Sequence, residues 1–280
     1  MSLKTIIISL NDTENLDCLL PTCTALATRH EAHLIGAYII PSAEMYAAFD
    51  GAAMAEIADA QRKNFFSMAK KVKEKFDRAI SPNNLSAEWL LLDAQGSSMI
   101  DEFIQQSRFA DLVVITQVDL GAYNGVEAGF SDSIVMDAGR PVLIVPRGKS
   151  FDSIGDKVVI GWNASKEATR ACYDALPLLS NNCEVDLVWV DPQLQRLEAG
   201  NLPGTKLGTT LARHGIKVTC DPTPTVDSDA GAALLNRVGD IGADLLVMGA
   251  YGHSRLSEFV FGGATDHVLK KMTVPVLMSH

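Results

Sequence analysis

Two stretches of this chain nearly repeat each other: "ADLVVITQ" at residues 110–117 and "ADLLVMGA" at 243–250. The likeness extends outward in the same order. "KTIIISLNDT" (4–13) can be laid on "KVVIGWNASK" (157–166), each an apolar β-rich run ending in Asn and small polar residues, and "GRPVLIVP" (139–146) lies opposite "TVPVLMSH" (273–280). A period of roughly 130 to 150 residues is too long for a solenoid of short units and indicates two domains of one fold. The 280 residues suffice for two such domains, placed at 1–148 and 155–280 with "RGKSFDSIGD" (147–156) as linker.

Within each copy, short β-branched runs alternate with segments of helical spacing. In the first, the strands are "TIIISL", "HLIGAYII", "SAEWLLLD", "DLVVIT" and "PVLIV", with a long charged helix around 54–79 and another near 131–138. The second copy has a shorter middle helix around 205–214. Near-continuous apolar strands separated by helices predict a parallel sheet covered on both faces. The expected architecture is therefore α/β, two doubly wound five-stranded sheets. Such sheets take ligands at the carboxyl ends of their strands, where strand order reverses.

With 47% hydrophobic and 21% charged residues, the composition is that of a soluble globular protein. The formal net charge of −10 argues against nucleic acid or an anionic membrane surface as a partner. An anionic ligand would have to be held by local backbone geometry. No secretory pattern and no apolar run of membrane-spanning length is found, so a cytoplasmic location is expected. The five cysteines show no CxxC and read as buried free thiols. His30, His33, His214, His267 and His280 lack ligand spacing, and no metal site is expected.

The segment "GAYGHSRLSEFVFGGATDHVLKK" (249–271) begins where the strand "DLLVM" should end, at the carboxyl edge of the second sheet. Gly249 and Gly252 are expected to turn the chain tightly and bring backbone N–H groups towards a ligand. Gly262 and Gly263 would open the helix "ATDHVLKK", whose unpaired N–H groups and dipole can hold phosphate without a basic side chain. Thr265 could add a hydroxyl or cap that helix. A turn followed by a helix start, with no ligand, is the alternative reading. The pattern is neither a P-loop nor a dinucleotide fingerprint.

G-x2-G-x9-G after a strand, followed by a helix and a final "VPVLM" strand, resembles the nucleotide-binding motif of the universal stress protein family, in which Ser or Thr usually follows the last glycine. The resemblance covers both halves, so the whole chain resembles a tandem universal stress protein. It implies an adenine nucleotide alpha-hydrolase-like fold, with the two halves paired through their last strands as an intramolecular pseudo-dimer; a further homodimer of chains is open. In ATP-binding members, an Asp after the first strand, a residue ending the second strand and the glycine loop surround the nucleotide. The resemblance carries these roles to Asn163, Val190, Met248, Gly249, Gly252 and Gly262, with Gly263, Ala264 and Thr265 following at the helix start. Arg255, the one basic residue between Gly249 and Lys270, reads from the sequence as facing either solvent or the phosphates. Asn163 departs by lacking charge, and Gly263 by lacking the hydroxyl. The implied ligand is ATP or another adenine nucleotide, with or without Mg2+, serving sensing or signalling. A stress scaffold without nucleotide and a slow ATPase are the alternatives. No HIGH-type motif, no SGG-x-D-S loop and no metal-holding carboxylate pair beside the glycine loop supports an enzyme, Asp266 being the nearest acid; no catalytic residue is assigned.

The first copy differs at this loop. Thr116 and Asp119 fall at or next to the places of Gly249 and Gly252, and Ala128 falls opposite Gly262. Their Cβ atoms disfavour the glycine conformation, while Asp119 and Glu127 bring negative charge. The first half is therefore expected not to bind a nucleoside triphosphate here, although "AGFSDS" keeps Gly129, Ser131 and Ser133. His253 and Ser254 are neighbours without a nucleophile elbow. Lys70, Lys71, Lys73 and Lys75 read as a solvated helix face. The stretch containing Met45, Tyr46 and Phe49 reads as ordinary packing, or as a lid or partner surface.

Overall fold

The computed structural model describes residues 2–42, 52–117, 126–127, 129–190, 204–223, 229–251 and 263–280. These form two compact units, one of residues 2–140 and 147–152, the other of 141–146 and 153–280.

The first unit runs β1 (Thr5–Ser9), α1 (Leu16–His30), β2 (His33–Ile40), α2 (Ala52–Ile80), β3 (Ala87–Asp93), α3 (Met99–Ser107), β4 (Leu112–Thr116) and α4 (Phe130–Asp137). Its strands are parallel in the order β3-β2-β1-β4. Ile6, Ile7 and Ile8 of β1 are fully buried, which is why the strand is written as an unbroken apolar run. Helix α2 buries Ala69, Val72 and Phe76 and exposes Lys70, Lys71 and Lys73. Lys75 instead reaches Asp17 of α1 at 2.8 Å. Gly36 of β2 makes room for α2, because a Cβ there would stand 2.6 Å from the Phe76 ring.

His30, at the end of α1, is buried with its Nε2 lacking a hydrogen-bond partner among the described residues. Burial, then the charges of Arg29, Lys4 and the N-terminus, hold its pKa below the usual 6.5. Between the lowered folded value and the unfolded one, only the unfolded chain takes up the proton. Stability should therefore fall as pH drops below about 6.5 and continue falling until the folded value is passed. Urea midpoints measured from pH 8 to 5 should show a shallower decline for His30→Gln than for the wild type; equal slopes would disprove this.

The second unit contains β5 (Val142–Val145), β6 (Lys157–Gly161), α5 (Lys166–Ala175), β7 (Glu184–Val190), α6 (Thr205–Arg213), β8 (Lys217–Thr223), α7 (Ala230–Ile241), β9 (Leu245–Gly249), α8 (Gly263–Lys271) and β10 (Val276–Ser279). The order is β5-β10-β9-β6-β7-β8. All neighbours are parallel except β5 and β10, which run antiparallel with Ile144 opposite Val276. The last strands of the two copies therefore pair, as the resemblance implies, and β5 is counted with the second copy's sheet. Both are four-residue strands buried throughout, and an apolar edge of this kind needs a partner.

Strand pairing also corrects the overlay of the copies. Ile6 lies opposite Leu112 in one unit and Val158 opposite Leu245 in the other, so Ile6 corresponds to Val158 and Asn11 to Asn163. The overlay of "KTIIISLNDT" on "KVVIGWNASK" is one residue out, since two apolar runs of similar character carry no register mark of their own. The repeated "AD" dipeptide has a shared task. Asp111 accepts from the N–H groups of Lys4 and Thr5 at 2.8 and 3.0 Å, and Asp244 accepts from those of Gly155, Asp156 and Lys157 at 2.9, 3.0 and 3.3 Å.

Candidate functional site

The carboxyl ends of β6, β7 and β9 and the start of α8 carry the residues singled out from the sequence. After β6 the Trp162 N–H bonds the Val188 carbonyl at 2.9 Å, and Asn163 follows. Its Oδ1 accepts from the Ser165 N–H at 3.1 Å, a local turn typical of Asn. The intervening Ala164 is left-handed at φ 59°. Ser165 then caps α5, its Oγ accepting from the Ala168 N–H at 3.1 Å. Asn163 is exposed, and its side-chain NH2 has no partner among the described residues. The corresponding Asn11 is buried and clasps β2 with both ends of its amide, donating to the Ile39 carbonyl at 2.7 Å and accepting from the Ile39 N–H at 3.0 Å. One copy thus uses this amide to fasten its own sheet, while the other presents a donor to solvent.

Val190 closes β7, in register with Thr223. Met248 sits beside Gly161 in β9 and is buried at 5% exposure. Gly249 has a packing role that its sequence context does not announce. It is the last residue of β9, paired with Ser279, and a Cβ built on it would stand 2.4 Å from the Ala168 nitrogen and 2.6 Å from the Glu167 carbonyl carbon. Its missing side chain lets α5 approach the strand. Two residues after the strand, Tyr251 is left-handed at φ 55°. Beside this contact, Glu167 is buried in the first turn of α5. Burial works to raise its pKa, but its own N–H, Lys166 and Ser165 outweigh that and hold the carboxyl below the usual range. Gly252, His253, Ser254, Arg255 and Gly262 lie outside the described residues.

Helix α8 opens on Gly263, which is exposed, with Ala264 half-buried. Among the described residues, α8's own backbone aside, a Cβ on Gly263 would meet Asp229 Oδ1 at 3.8 Å, an ordinary contact. Thr265, at 3% exposure, shares the buried face of α8 with Val268, three residues on.

Asp229 is the residue the sequence reading missed. It precedes α7, accepts from the Gly231 N–H at 3.3 Å through Oδ1 and holds His267 Nδ1 at 3.2 Å through Oδ2. Gly231 brings the two helix starts together, since a Cβ there would lie 2.6 Å from the Ala264 carbonyl oxygen. Asp266, the acid nearest in sequence, pairs with Lys270 at 2.7 Å. An Asp before the small-residue run "AGAALL" is a helix-cap signal and could have marked position 229.

In the first unit, the Glu127 carboxylate accepts from Ser98 Oγ at 2.7 Å and from the Met99 N–H at 3.0 Å, closing the start of α3. Thr116, ending β4, is buried. Gly129 precedes α4 at φ 77°, Ser131 is buried and Ser133 half-buried. Asp119, Ala128, Met45, Tyr46 and Phe49 lie outside the described residues. The five cysteines are free, and burial pushes the Cys172 thiol up to about 12. Among the described residues no helix is long and apolar enough to cross a membrane.

Residues 156–280 match the Universal stress protein family. A universal stress protein of Synechocystis is 29% identical over 151 residues, which cover 52% of this chain and 49% of that protein; the chain thus matches about half the length of this curated relative. The fold is shared more widely. A universal stress protein of Archaeoglobus fulgidus superposes with a TM-score of 0.74 at 17% identity, over 98% of this chain and 95% of its own. A Pseudomonas aeruginosa protein of unknown function gives 0.55 at 12% identity, over 99% and 92%. The second half, residues 156–280, thus belongs to the universal stress protein family, and the chain shares along nearly its whole length the fold of a universal stress protein.

Proposed function

We propose that the second half binds an adenine nucleotide, ATP or a relative with fewer phosphates, for sensing or signalling rather than for turnover. The observation that carries this reading is that α8 begins on an exposed glycine, Gly263, on the carboxyl side of β9 in the half that matches the family. Unpaired N–H groups at such a start receive phosphate oxygens. The exposed Asn163 amide adds a donor for adenine or ribose without adding charge. Magnesium would arrive as the nucleotide's counter-ion, because the described residues gather no group of three His, Cys, Asp or Glu able to hold a metal. In the first half the counterpart of α8 is α4, and Glu127, three residues before it, brings a negative charge, which favours a structural role or a different ligand there.

Calorimetric titration of ATP, ADP and AMP tests the reading. Gly263→Ser should tighten ATP binding by about 3- to 10-fold, the worth of one added hydrogen bond, and Asn163→Ala should weaken all three nucleotides alike. Absence of binding by wild type and Gly263→Ser would leave the scaffold, a reading that the carboxylate of Asp229 beside α8 favours. Phosphate release well above a protein-free control would instead make the protein a slow ATPase.

A further inference from the structure

We propose that Ser86, in the first unit, is a nucleophile that takes an acyl group from an activated ester, with His33 as its base. Three side chains meet at the amino ends of β2 and β3 because of strand register. Leu34 lies opposite Ala87, so His33 lies opposite Ser86, and side chains two apart on a strand share a face. Ser86 and Glu88 therefore both reach the His33 ring. Ser86 Oγ is 2.7 Å from His33 Nδ1, and His33 Nε2 is 3.8 Å from Glu88 Oε2. The nearby carboxylate favours a proton on Nε2, which leaves Nδ1 to accept from the Ser86 hydroxyl. Hydroxyl, imidazole and carboxylate thus stand in the order of a nucleophile, its base and the group that orients the base.

A fourth group comes from the backbone. The Leu34 N–H bonds the Ser86 carbonyl at 2.9 Å and the Ala94 N–H bonds the Ile40 carbonyl at 3.0 Å, so the even-numbered residues of β3 turn their backbone towards β2. The Ala87 N–H then faces the outer side of β3, the end strand of its sheet. The N–H of the residue after a nucleophile is a common donor to the oxyanion of acyl transfer. With His33 and Glu88 side chains 36% and 56% exposed, an acyl donor can approach from solvent. In the step, Ser86 Oγ bonds the ester carbonyl carbon while its proton passes to His33 Nδ1. The bond from that carbon to the leaving oxygen breaks, and the leaving alcohol takes the proton. Water later hydrolyses the acyl-serine, releasing the acid and restoring Ser86.

Incubation of the full chain with p-nitrophenyl acetate, followed by peptide mass spectrometry, tests the proposal without reference to nucleotide. Acetyl should appear on Ser86 at least about 10-fold faster than on Ser150, an exposed serine, because a positioned base contributes about 10²- to 10⁴-fold. His33→Gln should remove that advantage, and Ser86→Ala should abolish the labelled peptide. Glu88 acts through the imidazole as a positioning residue: Glu88→Gln should slow acetylation about 3-fold or more, and Glu88→Asp should restore part of the rate. Thermal melts establish that the variants fold. Acetylation of Ser86 no faster than that of Ser150, or equally fast in wild type and His33→Gln, would overturn the proposal; Glu88→Gln matching wild type would overturn the part given to Glu88.

Discussion

Gly249→Ala should destabilise the protein by about 3 kcal/mol, the upper end of what an added methyl costs in a packed interior. The new Cβ would lie 2.4 Å from the Ala168 nitrogen and 2.6 Å from the Glu167 carbonyl carbon. Both are backbone atoms of the first turn of α5, so no side-chain rotation relieves the overlap. That turn is itself fastened, by Ser165 at its start and by Arg170, which donates to the His280 carbonyl at 2.9 Å. Strand or helix must therefore shift, and Asn163, two residues before Ser165, shifts with the helix. Urea unfolding followed by circular dichroism measures the loss, and nucleotide titration measures the site. Gly239→Ala is the control: its Cβ would meet nothing within 4 Å, and replacing an exposed helical glycine should stabilise by about 0.5–1 kcal/mol. A Gly249→Ala protein within about 1 kcal/mol of wild type would refute the packing role.

Arg237→Ala should cost about 3–5 kcal/mol through the carboxylate it leaves behind. Asp186 of β7 is 6% exposed, and its Oδ2 receives the Nε and an Nη of Arg237 of α7, each at 2.6 Å. Oδ1 is buried without a partner among the described residues. Once the guanidinium is gone, the interior holds an unpaired negative charge beneath the helix that positions Asp229. Replacing both partners with apolar side chains, Asp186→Leu with Arg237→Met, should recover most of the loss, because the pair has to offset its own desolvation before it stabilises anything. A double-mutant cycle separates the terms. An Arg237→Ala variant as stable as wild type, or a double variant no better than the single one, would contradict this account.

Element types were legible because a parallel sheet buried on both faces writes each strand as an apolar run. "DLVVIT" contains β4, and all of "DLLVM" but its Asp lies in β9. What was not legible is whatever depends on phase or on distant neighbours. Register within β1 and β6 was read one residue out, because similar apolar residues at consecutive positions do not say which faces which. Gly249 was recognisable as a place with no side chain, but only packing against α5 shows which neighbour needs the space. Thr265 points inward because of the angular phase of α8, and a helix that starts one residue earlier or later would reverse that. Asp229 lies far from the glycine loop in sequence, and the close approach of α7 and α8 at Gly231 brings it there. Val190 and Met248 were placeable from strand ends alone, since the carboxyl edge of a strand is where its apolar run stops.

The placement of β5 separates the boundary of the sequence repeat from the boundary of the folding unit. Cut at residue 148, the first copy would carry "VLIV" with no β10 to receive it, four apolar residues that are fully buried in the intact chain. Cut at 155, the second copy would show β10 with one side of its hydrogen-bonding ladder open. Neither half is therefore a neutral fragment for dissecting the other's activity. A gene split between the copies would yield two sticky pieces that seek each other or their own kind, and a loss of the proposed nucleotide binding that followed would say nothing about which half carries it.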